Sequence, residues 1–343
     1  MKKFFTTRNP FQPSPFRQLI SYILLILWTF VALFPLYWLF ITAFKKRADI
    51  DGSPHYVPFV DFQPTLDAWT RILDPVQKEI QVFRPYYNTV LVGVTSAFLA
   101  LVIGSMASYA LSRFEFHPKP ALIGLFILCV AGMVFLVAVG APWPVAIVVM
   151  LAIYIMLWLL VGKRFRGTMG NNDIAFWLVS QRMLPPIAVI LPIYIMFQQL
   201  RLLDTIPGLI IIYTATNLPL VIWFMRDYFL SLPVELEESA FIDGANRYQT
   251  LLRVVIPLAF PGLVAVFLIV LVFAWNEYTV ALFLTGGNTQ TMPILVAGQN
   301  NTRGPQWDNI SVLVTMMVTP IVIIAVALER FIVRGLLVGA VKG

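Results

Sequence analysis

Cysteine occurs once in the 343 residues, at Cys129, and histidine twice, at His55 and His117. A single thiol supports neither a disulfide framework nor a Cys-based metal site, and two distant histidines have no ligand spacing. Charge is scarce as well. Charged residues make up 12% of the chain, against about 25% in soluble domains. The sequence also lacks a Gly-x-x-x-x-Gly-Lys-[Ser/Thr] phosphate loop, so it brings no nucleotide cradle of that type. What fills the space is apolar: 59% hydrophobic residues and a mean hydropathy of +0.82. A soluble fold has too little interior to hide this much apolar surface, and disorder is excluded on the same ground. The composition is that of an integral membrane protein.

The apolar runs are continuous and long, unlike the ten-residue alternation of a membrane β-barrel, so the spans are helical. Eight segments stand out: 19–44, 87–112, 120–140, 143–162, 174–200, 207–226, 260–284 and 309–333. The first is too long for the apolar core of a signal peptide and no small-residue cleavage site ends it, so it reads as a retained helix. Segments 120–140 and 143–162 are separated only by Ala141 and Pro142, a tight membrane hairpin. With the N-terminus inside, fifteen of the 24 Lys and Arg residues fall on inner segments and eight on outer ones; Arg182 lies within a span. The excess of basic residues marks the inner face, which gives an N-in, C-in topology.

Two loops are too large to be turns. The outer loop 45–86 carries Asp49, Asp51, Asp61, Asp67 and Asp74 among five prolines. The inner loop 226–259 has Pro233 ahead of an acidic stretch, Gly244 in its middle and Pro257 near its end. Proline at a helix start and Glu in the first turn suit the positive end of the helix dipole. The pattern predicts a short helix near 234–242, a break at Asp243-Gly244 and a second helix over about 246–256. Two helices in an inner loop suggest a docking element.

This loop carries a resemblance. Glu238-Ser239-Ala240-Phe241-Ile242-Asp243-Gly244-Ala245, followed by Val255-Ile256-Pro257, resembles the coupling loop of the membrane-spanning subunits of binding-protein-dependent ABC importers. In that family the pattern is Glu-Ala-Ala, three residues, Gly, then an apolar-x-Pro ending; here Ser239 replaces one small residue with another. Further stretches look like the sugar permeases of the maltose type: Arg182-Met183-Leu184-Pro185-Pro186, Leu202-Leu203-Asp204-Thr205, Trp275-Asn276-Glu277-Tyr278, the run from Asn88 to Ser108-Tyr109-Ala110-Leu111-Ser112-Arg113-Phe114, and the ending from Arg334 to Gly343. The resemblance covers most of the chain and is interrupted over 120–170.

The resemblance implies an all-α polytopic fold of the type I importer class, about eight helices, with a six-helix core and an inserted hairpin at 120–162. It divides the chain into a cytosolic segment 1–18, a first helix 19–44, an extracytoplasmic loop 45–86, the importer domain 87–333 with its coupling loop 226–259, and a cytosolic tail 334–343. It implies a permease without its own ATPase site, taking up a sugar or sugar derivative across the inner membrane of a bacterium. The implied partners are a second homologous permease, two ATP-binding subunits, which use ATP and Mg, and an extracytoplasmic substrate-binding protein. Nucleic acid has no place in it, and no cofactor is bound by the chain itself. In the coupling loop, Glu238 and Asp243 would cap helix starts or pair with basic partner residues. Gly244 would permit the turn, Ala240 and Ala245 would allow close approach, Ser239 stands in for the family's alanine, and Pro257 would close the pattern. Gly339 and Lys342 of the tail are either a second ATPase contact or a frayed end.

Polar groups at bilayer depth are expensive and invite a functional reading. Trp275, Asn276 and Glu277 together offer an indole, an amide and a carboxylate to a passing sugar, or else a structural hydrogen bond between helices. Arg182 is expected to pair with Glu277 or to cap carbonyls freed by Pro185 and Pro186. Asn217 with Pro219 marks either local unwinding beside the path or a tolerated kink. The alternative in another class is an ion-coupled secondary transporter using Glu277, for which inverted repeats would speak; none is evident.

Overall fold

The structure, a computed structural model, describes residues 14–74, 80–162, 164–165, 167–301 and 304–329. In chain order the helices are α1 (Pro15–Thr42), α2 (Arg47–Asp51), α3 (Asp67–Leu73), α4 (Phe83–Arg113), α5 (Pro120–Ala138), α6 (Trp143–Val161) and α7 (Asn171–Ser180). A 3₁₀ turn, Gln181–Met183, precedes α8 (Pro186–Gln199), α9 (Ile206–Ser231), α10 (Glu235–Ile242) and α11 (Arg247–Thr250). A π-turn, Leu251–Val255, leads into α12 (Ile256–Trp275), followed by α13 (Thr279–Leu284), α14 (Met292–Ala297), the two-residue strands β1 (Asn300–Asn301) and β2 (Gly304–Pro305), and α15 (Trp307–Ala327). Seven helices among the described residues are long and apolar enough to cross a membrane; the pair Asn171–Met183 and Pro186–Gln199, bent by 89°, makes an eighth if taken as one span. The chain is an all-α polytopic membrane protein.

The described residues form two compact units, drawn from Met1–Val82 with Leu295–Pro320 and from Phe83–Ile294 with Ile321–Gly343. In the first, α1 starts at Pro15 behind Ser14, whose Oγ accepts from the Arg17 N–H at 3.4 Å. The helix buries only Ile41 and Thr42. The loop after it is fixed by Lys45, which donates to His55 O at 2.6 Å and lies 4.0 Å from the centre of the Trp38 ring. Asp61 accepts from the N–H groups of Val57 and Tyr56, bonds that hold its carboxyl below the usual range. Arg71 of α3 pairs with the buried Asp308 of α15.

In the second unit, α4 packs along α9 and α12. The buried side of α4 is rich in small residues, with Gly93, Ala97, Ala100, Gly104 and Ser108 at three- and four-residue spacing and Ser96 beside them. Lipid is as apolar as leucine, so membrane helices associate through close packing, which small residues allow. Gly104 shows the need: a Cβ there would stand 2.6 Å from Cγ1 of Val221. Helices α5 and α6 pack on each other and are apolar all round, as lipid-facing helices are. Their connection turns at Gly140, one residue before the Ala141-Pro142 pair, with φ of +102°. There the Ala141 N–H reaches Leu136 O and the Gly140 N–H reaches Val137 O, the glycine-dependent helix end that pairs two of the last carbonyls.

Three expected spans differ from the sequence reading. The segment 174–200 is broken at Gln181–Pro185, because neither Pro185 nor Pro186 donates a backbone hydrogen bond. The segment 260–284 is broken after Trp275. Helix α9 runs on to Ser231 and stops before Pro233, since the residue preceding a proline is pushed out of the α region.

Candidate functional site

The loop after α9 opens on α10, which carries Glu235, Glu237 and Glu238 in its first turn, facing the positive end of the helix dipole. Successive positions on so short a helix diverge by about 100°, and the neighbouring glutamates separate accordingly. Glu238 is exposed while Glu237 is buried at 5% exposure. The Glu237 carboxylate accepts from Tyr109 Oη at 2.7 Å through Oε2 and from Arg113 Nε at 2.7 Å through Oε1. Arg113 also donates through Nη2 to Leu232 O, the residue that ends α9. A buried pair of this kind, stripped of one partner, costs about 3–5 kcal/mol. The sequence motif marks Glu238 and leaves Glu237 without a local signal, because its partner Arg113 lies 124 positions away and only the fold brings it near.

The loop's outward side sets large apolar side chains among charged ones. Ile242 is 86% exposed, and Val234, Leu236, Phe241 and Tyr248 are exposed with it. Helix α10 ends at Asp243, and the chain reverses through Gly244 with φ of +86°, where the Gly244 N–H reaches Phe241 O and the Ala245 N–H reaches Ala240 O. A Cβ on Gly244 would meet nothing within 4 Å, so glycine is required by the left-handed backbone and not by crowding. Ser239 is exposed and its hydroxyl bonds back to Glu235 O. The second helix starts at Asn246, whose side chain accepts from the Gln249 N–H while the Gln249 side chain accepts from the Asn246 N–H. Arg247 lies 4.8 Å from the Phe114 ring.

Two expectations are corrected here. Neither Glu238 nor Asp243 caps a helix start: Val234 opens α10 without a side-chain cap, and Asn246 caps α11. Nor does the second helix end at 256. It passes through the π-turn into α12 as one continuous apolar helix, Arg247–Trp275. Pro257 sits in the first turn of α12, and the widened turn just upstream accommodates the hydrogen bond it cannot donate.

A second cluster lies at the two breaks. Arg182, in the 3₁₀ turn, donates through Nη2 to Asn217 Oδ1 at 2.6 Å and through Nε to Thr216 O at 3.2 Å, with its guanidinium 4.9 Å from the Phe273 ring. The expected pairing with Glu277 is not the one formed, and the carbonyls it meets are on α9. Asn217 is buried and donates to Tyr213 O; α9 runs through Pro219 without unwinding. At the other break, Glu277 Oε1 accepts from the Val280 N–H and so caps α13, while Tyr213 Oη donates to Glu277 O at 3.2 Å. Asn276 is exposed and donates to Val272 O. Trp275 is buried within the chain at 3% exposure, beside Gly93 and edge-on to Tyr86, because the residue before the break still belongs to the packed side of α12. Both breaks are therefore tied to α9 one turn apart, at Tyr213 and Asn217. Gly339 and Lys342 lie outside the described residues.

At the end of α4 opposite Arg113, Asp204 fastens the turn before α9 to the loop 286–289. Its carboxylate accepts from the N–H groups of Gly286, Asn288 and Thr289, from the Asn288 amide and from the Thr289 hydroxyl. Partial burial opposes its ionisation, yet these donors outweigh that and hold the carboxyl at about 2. Asn88 of α4 donates to Asn288 O and Gln290 O, and Thr89 Oγ1 accepts from the Met292 N–H.

Residues 15–338 match the family model described as the binding-protein-dependent transport system inner membrane component. A probable ABC transporter permease protein, y4oR, of Sinorhizobium fredii is 28% identical, over 92% of this chain and 95% of that protein. The trehalose/maltose transport system permease protein MalG of Thermococcus litoralis is also 28% identical, over 93% and 94%. Among solved structures, a chain of a bacterial ABC transporter involved in import of the acidic polysaccharide alginate matches with a TM-score of 0.59 at 21% identity, over 94% of this chain and 99% of that one.

Proposed function

The chain belongs to the binding-protein-dependent transport system inner membrane components, and from that premise we propose that it is the permease subunit of an ATP-driven importer of a sugar or sugar derivative, with the loop 234–257 as its contact with the ATPase. The chain is a multi-pass inner-membrane transport component with the type I importer fold. The sugar class rests on the trehalose/maltose relative and on the motifs at Arg182–Pro186 and Trp275–Tyr278.

The observation that carries the docking role is the two-sided character of α10. One carboxylate, Glu237, is anchored inside, while Ile242, Phe241 and Leu236 stand out in water beside Glu238 and Asp243. Apolar side chains held outward on a cytosolic helix fit a groove on a soluble partner, and the free carboxylates fit basic residues at its rim. Asn276 and Glu277, with Arg182, line the proposed substrate path, because interrupted helices expose backbone polar groups where a solute must pass, and the buried Asn217 and Trp275 support them from behind. The N- and C-termini lie in the cytosol. A second homologous permease completes the pore, two ATPase subunits bind ATP and Mg below it, and an extracytoplasmic binding protein delivers substrate. Binding protein and ATP favour the outward-open state, and hydrolysis resets the inward-open one.

The test is to tag the chain, express it with its natural neighbours and identify what co-purifies in mild detergent. An ATPase and a second permease are expected with the wild type. In Gly244→Asp the ATPase is lost, because a side chain and a further anion enter the docking face at a turn whose φ of +86° favours glycine. A chain that purifies alone and is indifferent to Gly244 would overturn the reading.

A further inference from the structure

Helix α4 is one unbroken run of 31 residues, about 46 Å long at the helical rise. One end is fastened to the first turn of α10: Tyr109 and Arg113, one turn apart, each hold one oxygen of the buried Glu237 carboxylate. Arg113 and Glu237 are 9% and 6% exposed at their side chains, so water neither loosens nor replaces the contact. Arg113 also grips Leu232 O at the end of α9, and Tyr109 stacks edge-on against Phe229 of α9 at 5.7 Å. The far end is fastened to the loop 288–292 through Asn88 and Thr89. Between these ends the buried side is packed on α9 and α12 without a proline inside the helix.

We propose that Glu237 is the positioning residue through which movement of the docking helix enters α4, and that α4 carries it as a rod to the loop 288–292 at its opposite end. Two oxygens held by two donors on a single helix leave α10 no free rotation about that contact. The exposed Glu238 and Ile242 take up the ATPase; Glu237 does not touch it. The inference rests on the docking role given to the loop 234–257.

The experiment uses the complete importer, reconstituted with its ATPase and second permease, in a Cys129→Ser background. A fluorophore is attached at Gly287→Cys, a position where a side chain meets nothing within 4 Å. Wild type is expected to hold its ATPase and to change fluorescence on ATP addition. Glu237→Gln keeps the ATPase and hydrolyses ATP, but uptake per ATP and the fluorescence change both fall about tenfold, the scale of an ordinary coupling term. The exchanged pair Glu237→Arg with Arg113→Glu recovers both. An unchanged uptake per ATP in Glu237→Gln overturns the proposal. So does release of the ATPase by that variant, which would make Glu237 a docking residue, or loss of the folded complex, which would make it a folding residue. A wild-type chain that never holds an ATPase defeats the docking role itself, a distinct result.

Discussion

Asp204 shows how much one residue can organise. It adopts a left-handed backbone, φ 53°, and its carboxylate gathers five donors from residues 286–289. Replacing it with Asn turns one oxygen into an NH₂ facing N–H groups, and a lost charged hydrogen-bond set costs about 1–3 kcal/mol. A lowered thermal midpoint in detergent is the expected result. The pH sign follows from the direction of the shift. A carboxyl held at about 2 when folded, against about 3.9 unfolded, contributes stability that is complete above about 4 and lost as pH falls towards 2. In a thermal series over that window the wild type should lose this increment and Asp204→Asn should not. Asp204 was legible only as part of the Leu202–Thr205 motif, because its partners lie more than 80 positions away.

At the scale of elements, the hairpin α5–α6 and the loop helix α10 are opposites. The hairpin buries little beyond Cys129 and Ala146, and its base is closed by the Met169 N–H reaching Pro118 O at 2.9 Å and by Lys119 Nζ reaching Gly162 O at 2.8 Å. The two chain ends are thus already adjacent. Excising residues 119–168 and joining the ends through two glycines should change stability by less than about 1 kcal/mol, since a short link costs little to close; intact co-purification and uptake would show it, and aggregation of the excised chain would refute it. Helix α10 is only eight residues long, too short to hold itself in water, so it depends on tertiary contacts: it packs on α11 and the π-turn, and Glu237 orients it against α4. Its presence was readable from Pro233, the acidic first turn and Gly244. Its orientation was not, since two adjacent glutamates look alike until the fold buries one.

For the whole molecule, the energy source is the deciding question. The chain belongs to the binding-protein-dependent transport system inner membrane components, for which ATP coupling is proposed above, and Glu277, the carboxylate that an ion-coupled route would need, is occupied in holding the first turn of α13 through the Val280 N–H. In vesicles containing the full complex, withdrawing ATP should abolish uptake, and an uncoupler added with ATP held constant should leave it intact. The reverse pattern would make Glu277 the coupling group.

The sequence by itself determined the membrane class, most of the helical spans and the punctuation of the loop after α9, because each is written in local terms: hydropathy over about 20 residues, proline and glycine signals, and a motif contiguous in the chain. Only the tertiary structure decided which polar residues meet. Arg182 turned to Asn217 and Thr216 instead of Glu277, Trp275 went into the packed side of α12, and Glu237, not Glu238, found Arg113. The reason is physical. A helix turns by about 100° per residue, so neighbours in sequence face different surroundings, and in a medium that solvates no polar group each must take whichever partner the packing brings within reach.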